Sequence, residues 1–189
     1  MKLLRKIGRK LNAIAGVEIE ETLFFEMESD FPLSDSPLPQ GVCIRELGSE
    51  QLLDFCNVSV MNRESVENRW ATKDRCYLAY LEGQLAHYSW VKSTGVQPVT
   101  EADIQVPVIP GEFWIYHCWT AEWARGRRIY PSVLMLIVRD YFSSNFTRAH
   151  IYTSRTNLAS QRGIDNAGFR YTSSKWSLRA GSHWYRLKR

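Results

Sequence analysis

Apolar positions along the chain follow two periods, and the changes between them mark out the elements. Period-two runs predict strands at 41–47, 75–80, 84–92, 112–120, 148–153, 169–178 and 184–187. Period-3.6 runs predict helices at 51–56, 64–71, 129–143 and 157–167, with Ser49 as a cap for the first and Gly168 as the stop of the last. Glu82-Gly83 reads as the tight turn of a hairpin. The Pro- and Gly-rich stretch 94–111 reads as a loop with one short strand at 103–108. The order β-α-α-β-β-β-α-β-α-β-β predicts an α/β (α+β) domain built on a mixed central sheet of about six to seven strands flanked by four helices.

Upstream of that unit the pattern changes. Residues 2–15 place Leu3, Leu4, Ile7, Leu11 and Ile14 on one helical face, with Lys2, Arg5, Lys6, Arg9 and Lys10 mostly elsewhere. This predicts a basic amphipathic helix, docked on its own domain or a second subunit, or lying on an anionic membrane surface. Residues 17–27 read as extended, and 28–41 as a turn-rich linker with three Pro and three Ser. The expected division is therefore 1–40 as an N-terminal segment and 41–189 as the folded domain.

Composition narrows the function. A formal charge of +4 over 189 residues suits an anionic small ligand and does not call for nucleic acid. Cys43, Cys56, Cys76 and Cys118 show no paired metal-ligand spacing, so no metal is expected, and their apolar settings suit reduced thiols in a cytoplasmic protein. No apolar run is long enough to span a bilayer, and the N-terminus lacks a signal-peptide core.

The clearest chemical signal is Thr120 to Leu134. A strand runs into Arg125-Gly126-Arg127-Arg128, which opens directly into a helix. The first turn of a helix leaves backbone N–H groups free and carries the positive end of its dipole, so this is an anion site ringed by three guanidinium groups. A phosphate or pyrophosphate is the natural guest.

With these residues in place, the chain resembles the GNAT superfamily of acyl-coenzyme A N-acyltransferases over roughly 42–179. Thr120 to Leu134 is similar to that family's motif A, in which a strand enters an [Arg/Gln]-x-x-Gly-x-[Gly/Ala] turn. Thr153 to Phe169 is similar to its motif B, with Asn157 after a strand and Gly168-Phe169 closing a helix. The hairpin at 75–92 sits where the family has its second and third strands. Two departures stand out: Arg128 replaces the usual Gly, and Tyr130 the final small residue. Ile164 stands where many members carry a Tyr that protonates the departing thiolate.

The resemblance implies acyl transfer from acetyl-CoA to an amine by direct attack, the acceptor being a small-molecule or peptide amine. It implies cofactor contacts at Cys118, Trp119, Thr120, Arg125, Gly126, Arg127, Arg128, Ile129, Tyr130, Asn157 and Ser160. Asn157 also fits a helix N-cap. The amine must lose a proton, and Glu112 and His117 are the candidate bases. Strand parity puts Glu112 with Trp114, Tyr116 and Cys118, and His117 on the opposite face. Tyr80, Trp90, Tyr116, Trp119, Trp123 and Tyr185 are candidate walls of the acceptor pocket, and the loop 94–111 is expected to set selectivity. The alternative is a degenerate member that binds or scaffolds, tethered through 2–15. A homodimer is left open.

Overall fold

The computed structural model describes residues 17–32 and 38–187. The elements run β1 (Val17–Glu28), β2 (Val42–Glu46), α1 (Leu52–Val58), α2 (Arg63–Ala71), β3 (Arg75–Leu81), β4 (Gln84–Lys92), β5 (Val96–Val99), β6 (Ile104–Pro107), β7 (Glu112–Thr120), α3 (Ile129–Ser143), β8 (Arg148–Ser154), α4 (Leu158–Asn166), β9 (Arg170–Ala180) and β10 (His183–Arg186). Ten strands form an eight-stranded sheet in the order β10-β9-β1-β8-β7-β4-β3-β2 and a separate β5-β6 ribbon. Every pairing is antiparallel except β7 with β8, which α3 joins as a crossover.

The expected helices and hairpin are present. Glu82 and Gly83 both take positive φ (53° and 80°), the geometry of a two-residue hairpin turn. Three expectations change. The sheet has eight strands rather than six to seven. The extended segment at 17–27 is β1, seated between β9 and β8, so the boundary at 40/41 does not divide the sheet. The stretch 94–111 holds two strands, not one, because Pro98 and Pro107 lie in a two-stranded ribbon whose edges tolerate proline. The amphipathic helix expected at 2–15 lies outside the described residues.

The sheet is covered on both faces, which is why β3 reads as a near-continuous apolar run. Its alternation sends Tyr77, Ala79 and Leu81 to one core and Cys76 and Leu78 to the other. The first core is closed by α3, whose Val133, Leu134, Ile137 and Val138 are fully buried; each such side chain contributes about 2 kcal/mol of burial. The second holds Leu52 and Phe55 of α1 and Val66 of α2 against Tyr88 and Trp90. A third cluster of Phe24, Val99, Ala102 and Trp114 pins the β5-β6 ribbon to the sheet.

Candidate active site

The site begins where two parallel strands part. The pairing of β7 with β8 runs from Glu112–Arg148 to Ile115–Ile151 and stops, while β7 stays paired with β4 as far as Thr120. From Tyr116 onward, the β7 edge facing β8 has no ladder partner. Within that stretch His117 adopts φ 47°, and the β4-β7 register shifts between Tyr88 and Trp90. This bulge breaks strand parity. Tyr116, His117 and Cys118 consequently line the same cavity, correcting the expectation that His117 faces away from its neighbours.

Beyond Thr120 the chain makes one 3-10 turn (Glu122–Ala124) and enters the basic turn. Buried Ala124 and Ile129 anchor its two ends, and Arg125 to Arg128 project between them. Gly126 has φ 79°, and Arg128, the N-cap of α3, has φ 59°. Arg128 thus holds the left-handed conformation that a glycine would take more cheaply. Arg125 reaches back to the Thr120 carbonyl (3.4 Å) and to Glu122 (3.4 Å).

A cavity of about 580 Å³ opens against this turn. Every residue expected to contact the cofactor lines it except Arg127, which is exposed and not among the lining residues. Arg162 of α4, not expected from sequence, lines it as well. Asn157 both lines the cavity and caps α4, its Oδ1 accepting the Ser160 N–H at 3.1 Å.

Tyr130 forms the inner wall. Its hydroxyl lies 3.4 Å from Ser160 Oγ, and its ring lies 5.4 Å from that of His87. A Cβ on Gly163 would sit 2.3 Å from the ring, so α4 can approach Tyr130 only with glycine there. Burial raises the Tyr130 hydroxyl well above the usual phenol range and pushes the Cys118 thiol up to about 11. Cys118, which also accepts a hydrogen bond from Ser89 Oγ at 3.1 Å, is therefore a protonated packing thiol and not a nucleophile. Ile164, fully buried, offers no proton.

On the other side of Tyr130, Cys118, Asn157 and Ser160 lies a second cavity of about 490 Å³. Its walls include Arg69 of α2, Tyr116 and His117 of β7, Gln97 of β5, Glu101 and Tyr152. Arg69 is held between the rings of Trp90 and Tyr116, 4.7 and 4.9 Å from their centroids, and its Nη2 donates to His117 Nδ1 at 2.7 Å. Burial, then the Arg69 charge, lowers His117 to about 4. A neutral ring that accepts at Nδ1 carries its proton on Nε2, so His117 is a donor towards its surroundings rather than a free base. Glu112 is not in either cavity. It opens β7 at the opposite end, about 3.3 Å per residue away along the strand, and is paired with His150 (2.7 Å) and Arg148 (3.6 Å). It is a structural ion pair, which corrects its candidacy as the base.

Of the aromatic residues expected to wall the acceptor pocket, only Tyr116 lines the second cavity, while Trp119 lines the first. Trp90 and Tyr80 belong to the second core, and Trp123 and Tyr185 are exposed. The loop 94–111 does reach the second cavity, through Gln97 and Glu101. Arg69 was invisible in sequence because α2 carries no motif and only tertiary packing brings it here. A third groove, of about 590 Å³, lies at Glu46, Arg75 and Asp140, whose charges pair with one another. Among the described residues no cluster of side chains suits a metal ion.

No family model matches the sequence, and no curated protein does. Solved structures do match. A GCN5-related N-acetyltransferase from Sphaerobacter thermophilus superposes with a TM-score of 0.66 at 14% identity, covering 94% of this chain and 55% of that one. A GNAT-family acetyltransferase from Colwellia psychrerythraea gives 0.62 at 17%, covering 91% and 57%. A putative one from Novosphingobium aromaticivorans gives 0.61 at 14%, covering 86% and 66%. The chain has the fold of the GCN5-related N-acetyltransferases. It spans 55–66% of the length of these three structures.

Proposed function

We propose that this chain transfers an acyl group, acetyl in the simplest case, from coenzyme A to a primary amine by direct attack. The observation that carries this reading is the parting of β7 and β8 beyond Ile115 and Ile151, beside a basic turn that opens α3. The residues fit the donor in three ways. The first-turn N–H groups of α3, with Arg125 and Arg128 at the rim, suit a pyrophosphate. The unpaired edge at Cys118 to Thr120 supplies backbone groups for the pantetheine amides and the developing oxyanion. Asn157 and Ser160 face that edge across the cavity.

In the reaction the ammonium gives up one proton before attack, the amine nitrogen bonds the acyl carbon, and as the carbon–sulfur bond breaks the nitrogen gives up a second proton, which through water replaces the one that Tyr130 gives the sulfur. Glu101, the carboxylate on the second cavity's wall, takes the amine proton directly or through water. The departing sulfur takes a proton from Tyr130, whose high pKa keeps it protonated at neutral pH and whose hydroxyl stands on the wall shared by the two cavities. Tyr130 thus does from α3 what Ile164 does not do from α4.

Calorimetry with acetyl-CoA tests the reading. Binding is expected for the parent protein, with at least about a tenfold loss in Arg125→Glu, since one charge-assisted phosphate contact is worth about 1.5 kcal/mol or more. No heat at millimolar ligand defeats it. A second reading, a binding protein without turnover, is favoured by the Tyr130 ring packed where a small residue is usual. Tyr130→Phe separates the two. Loss of kcat with unchanged acetyl-CoA affinity supports the proton donor, whereas absence of turnover in the parent with intact binding supports the scaffold.

A further inference from the structure

We propose that the amine acceptor is an amino acid, and that Arg69 selects it by its carboxylate. This rests on the transferase reading above. Two charged side chains on the walls of the second cavity lack a charged partner among the described residues. Arg69 pairs with no carboxylate among the described residues; it is held by two aromatic faces and by a neutral imidazole. Its Nη1 is buried and has no hydrogen-bond partner. Glu101, on the same cavity, makes no ion pair among the described residues, and only its backbone carbonyl is engaged, by Ser177.

Two further buried groups face the same problem. Gln97 is fully buried; its amide nitrogen donates to the Pro98 carbonyl at 2.8 Å, and its Oε1 has no partner. Thr22, also buried, leaves its Oγ1 unpartnered. Buried polar atoms without partners are few in folded proteins, and each costs about 1–3 kcal/mol unless a ligand or water satisfies it. Here three of them belong to residues lining one cavity, and they differ in character. Arg69 wants an anion, while Gln97 Oε1 and the Glu101 carboxylate want a cation or donor. A ligand with a carboxylate and an ammonium answers both, and a plain alkyl amine answers only one.

The rigid clamp on Arg69 makes it suited to selection. A guanidinium fixed between two rings loses little entropy on taking a planar carboxylate. His117, neutral and accepting from Nη2, occupies one edge of the fork without cancelling its charge.

The test compares each of the common α-amino acids with its own carboxamide, following free coenzyme A thiol released from acetyl-CoA. At least one amino acid should be preferred over its amide by about 30-fold in kcat/KM, the equivalent of one charged hydrogen bond. Arg69→Met should remove that preference while leaving KM for acetyl-CoA unchanged, and Arg69→Lys should keep part of it. Glu101→Gln, at an exposed position, should lower kcat and raise KM for the amino acid without loss of fold. Equal rates for acids and amides overturn the proposal, as does an amine bearing phosphate that outcompetes every amino acid. Saturation-transfer NMR with the amino acids alone reads the site independently of turnover. Binding lost in Arg69→Met supports the inference even where acetyl-CoA fails to bind, and no binding by the parent sinks it.

Discussion

Two residues at the start of α3 carry the chain's departures from its nearest sequence pattern, and their conformations separate what each costs. Arg128 sits at φ 59° with an exposed side chain, so its backbone pays for a conformation in which a side chain is disfavoured. Arg128→Gly is expected to stabilise the protein by about 1 kcal/mol, read as a rise in urea midpoint, while weakening acetyl-CoA binding through loss of the charge. A fall in stability would place a structural role on the Arg128 side chain. Tyr130 is the opposite case. Its ring is packed, and its fit depends on a missing side chain one helix away. Gly163→Ala puts a methyl 2.3 Å from a ring carbon of Tyr130, whose ring lies against that of His87. About 2 kcal/mol of destabilisation is expected by thermal melting, and an unchanged melting temperature would mean the ring is free to swing.

At the scale of elements, β7 decides the chemistry, and its bulge was the feature hardest to read. Nothing in Tyr116-His117-Cys118 announces a left-handed histidine, because bulges are set by register between strands and not by local propensity. The turn, by contrast, was legible. Gly126 and three arginines before an apolar helical period state an anion site locally, as Asn157 states a helix cap. Arg69, Gln97 and Glu101 were illegible because each comes from a different element. A buried histidine beside this strand and a half-buried one within it make stability depend on pH. His87, hydrogen-bonded to Thr120 and Ser89 at 2.8 Å each, is lowered by burial to about 3, and His117 to about 4. The unfolded chain protonates both near 6.5, and the folded chain does not until the lower values. Stability is therefore full above pH 6.5 and declines as pH falls from there towards 4 and 3. Urea midpoints should drop steadily over that window, and His117→Gln should make the slope shallower. A flat profile would show that neither ring is held neutral.

The same wall is braced from behind. Lys92 Nζ meets Asp74 Oδ1 at 2.6 Å with both side chains buried, and the Tyr116 hydroxyl donates to the other oxygen of Asp74. The pair ties the end of α2 to β4 and β7, and so fixes the ring on which Arg69 rests. Lys92→Met would leave a buried carboxylate without its cation. A loss of about 3 kcal/mol is expected in urea unfolding, together with weaker discrimination for the acceptor's carboxylate. Destabilisation below about 1 kcal/mol would mean that the pair does little to hold α2 against β4 and β7.

For the molecule as a whole, the consequential strand is the one farthest from any motif. β1 pairs with β8 over Thr22–Ser154 to Glu28–Arg148 and with β9 over Val17–Ala180 to Glu26–Arg170. It brings Leu23, Phe25 and Met27 to the first core and Phe24 to the cluster that holds the β5-β6 ribbon. The linker that follows it disguised it as an appendage, since turn-rich composition marks a surface connection but not which side belongs to the core. A fragment starting at residue 41 keeps every motif that carries the function, yet it lacks the strand between β8 and β9. Those two strands would face each other across an empty position, with two rows of open N–H and C=O groups. Such a fragment is expected to lose its near-UV circular dichroism and its cooperative urea transition, and to bind no acetyl-CoA, while the full chain retains all three. A fragment that melts cooperatively within a few degrees of the full chain would restore the boundary at 40/41 and make β1 an accessory strand. The expected failure would instead mean that the two cavities exist only because a strand that carries no motif keeps β8 in place, and with it the gap between β7 and β8.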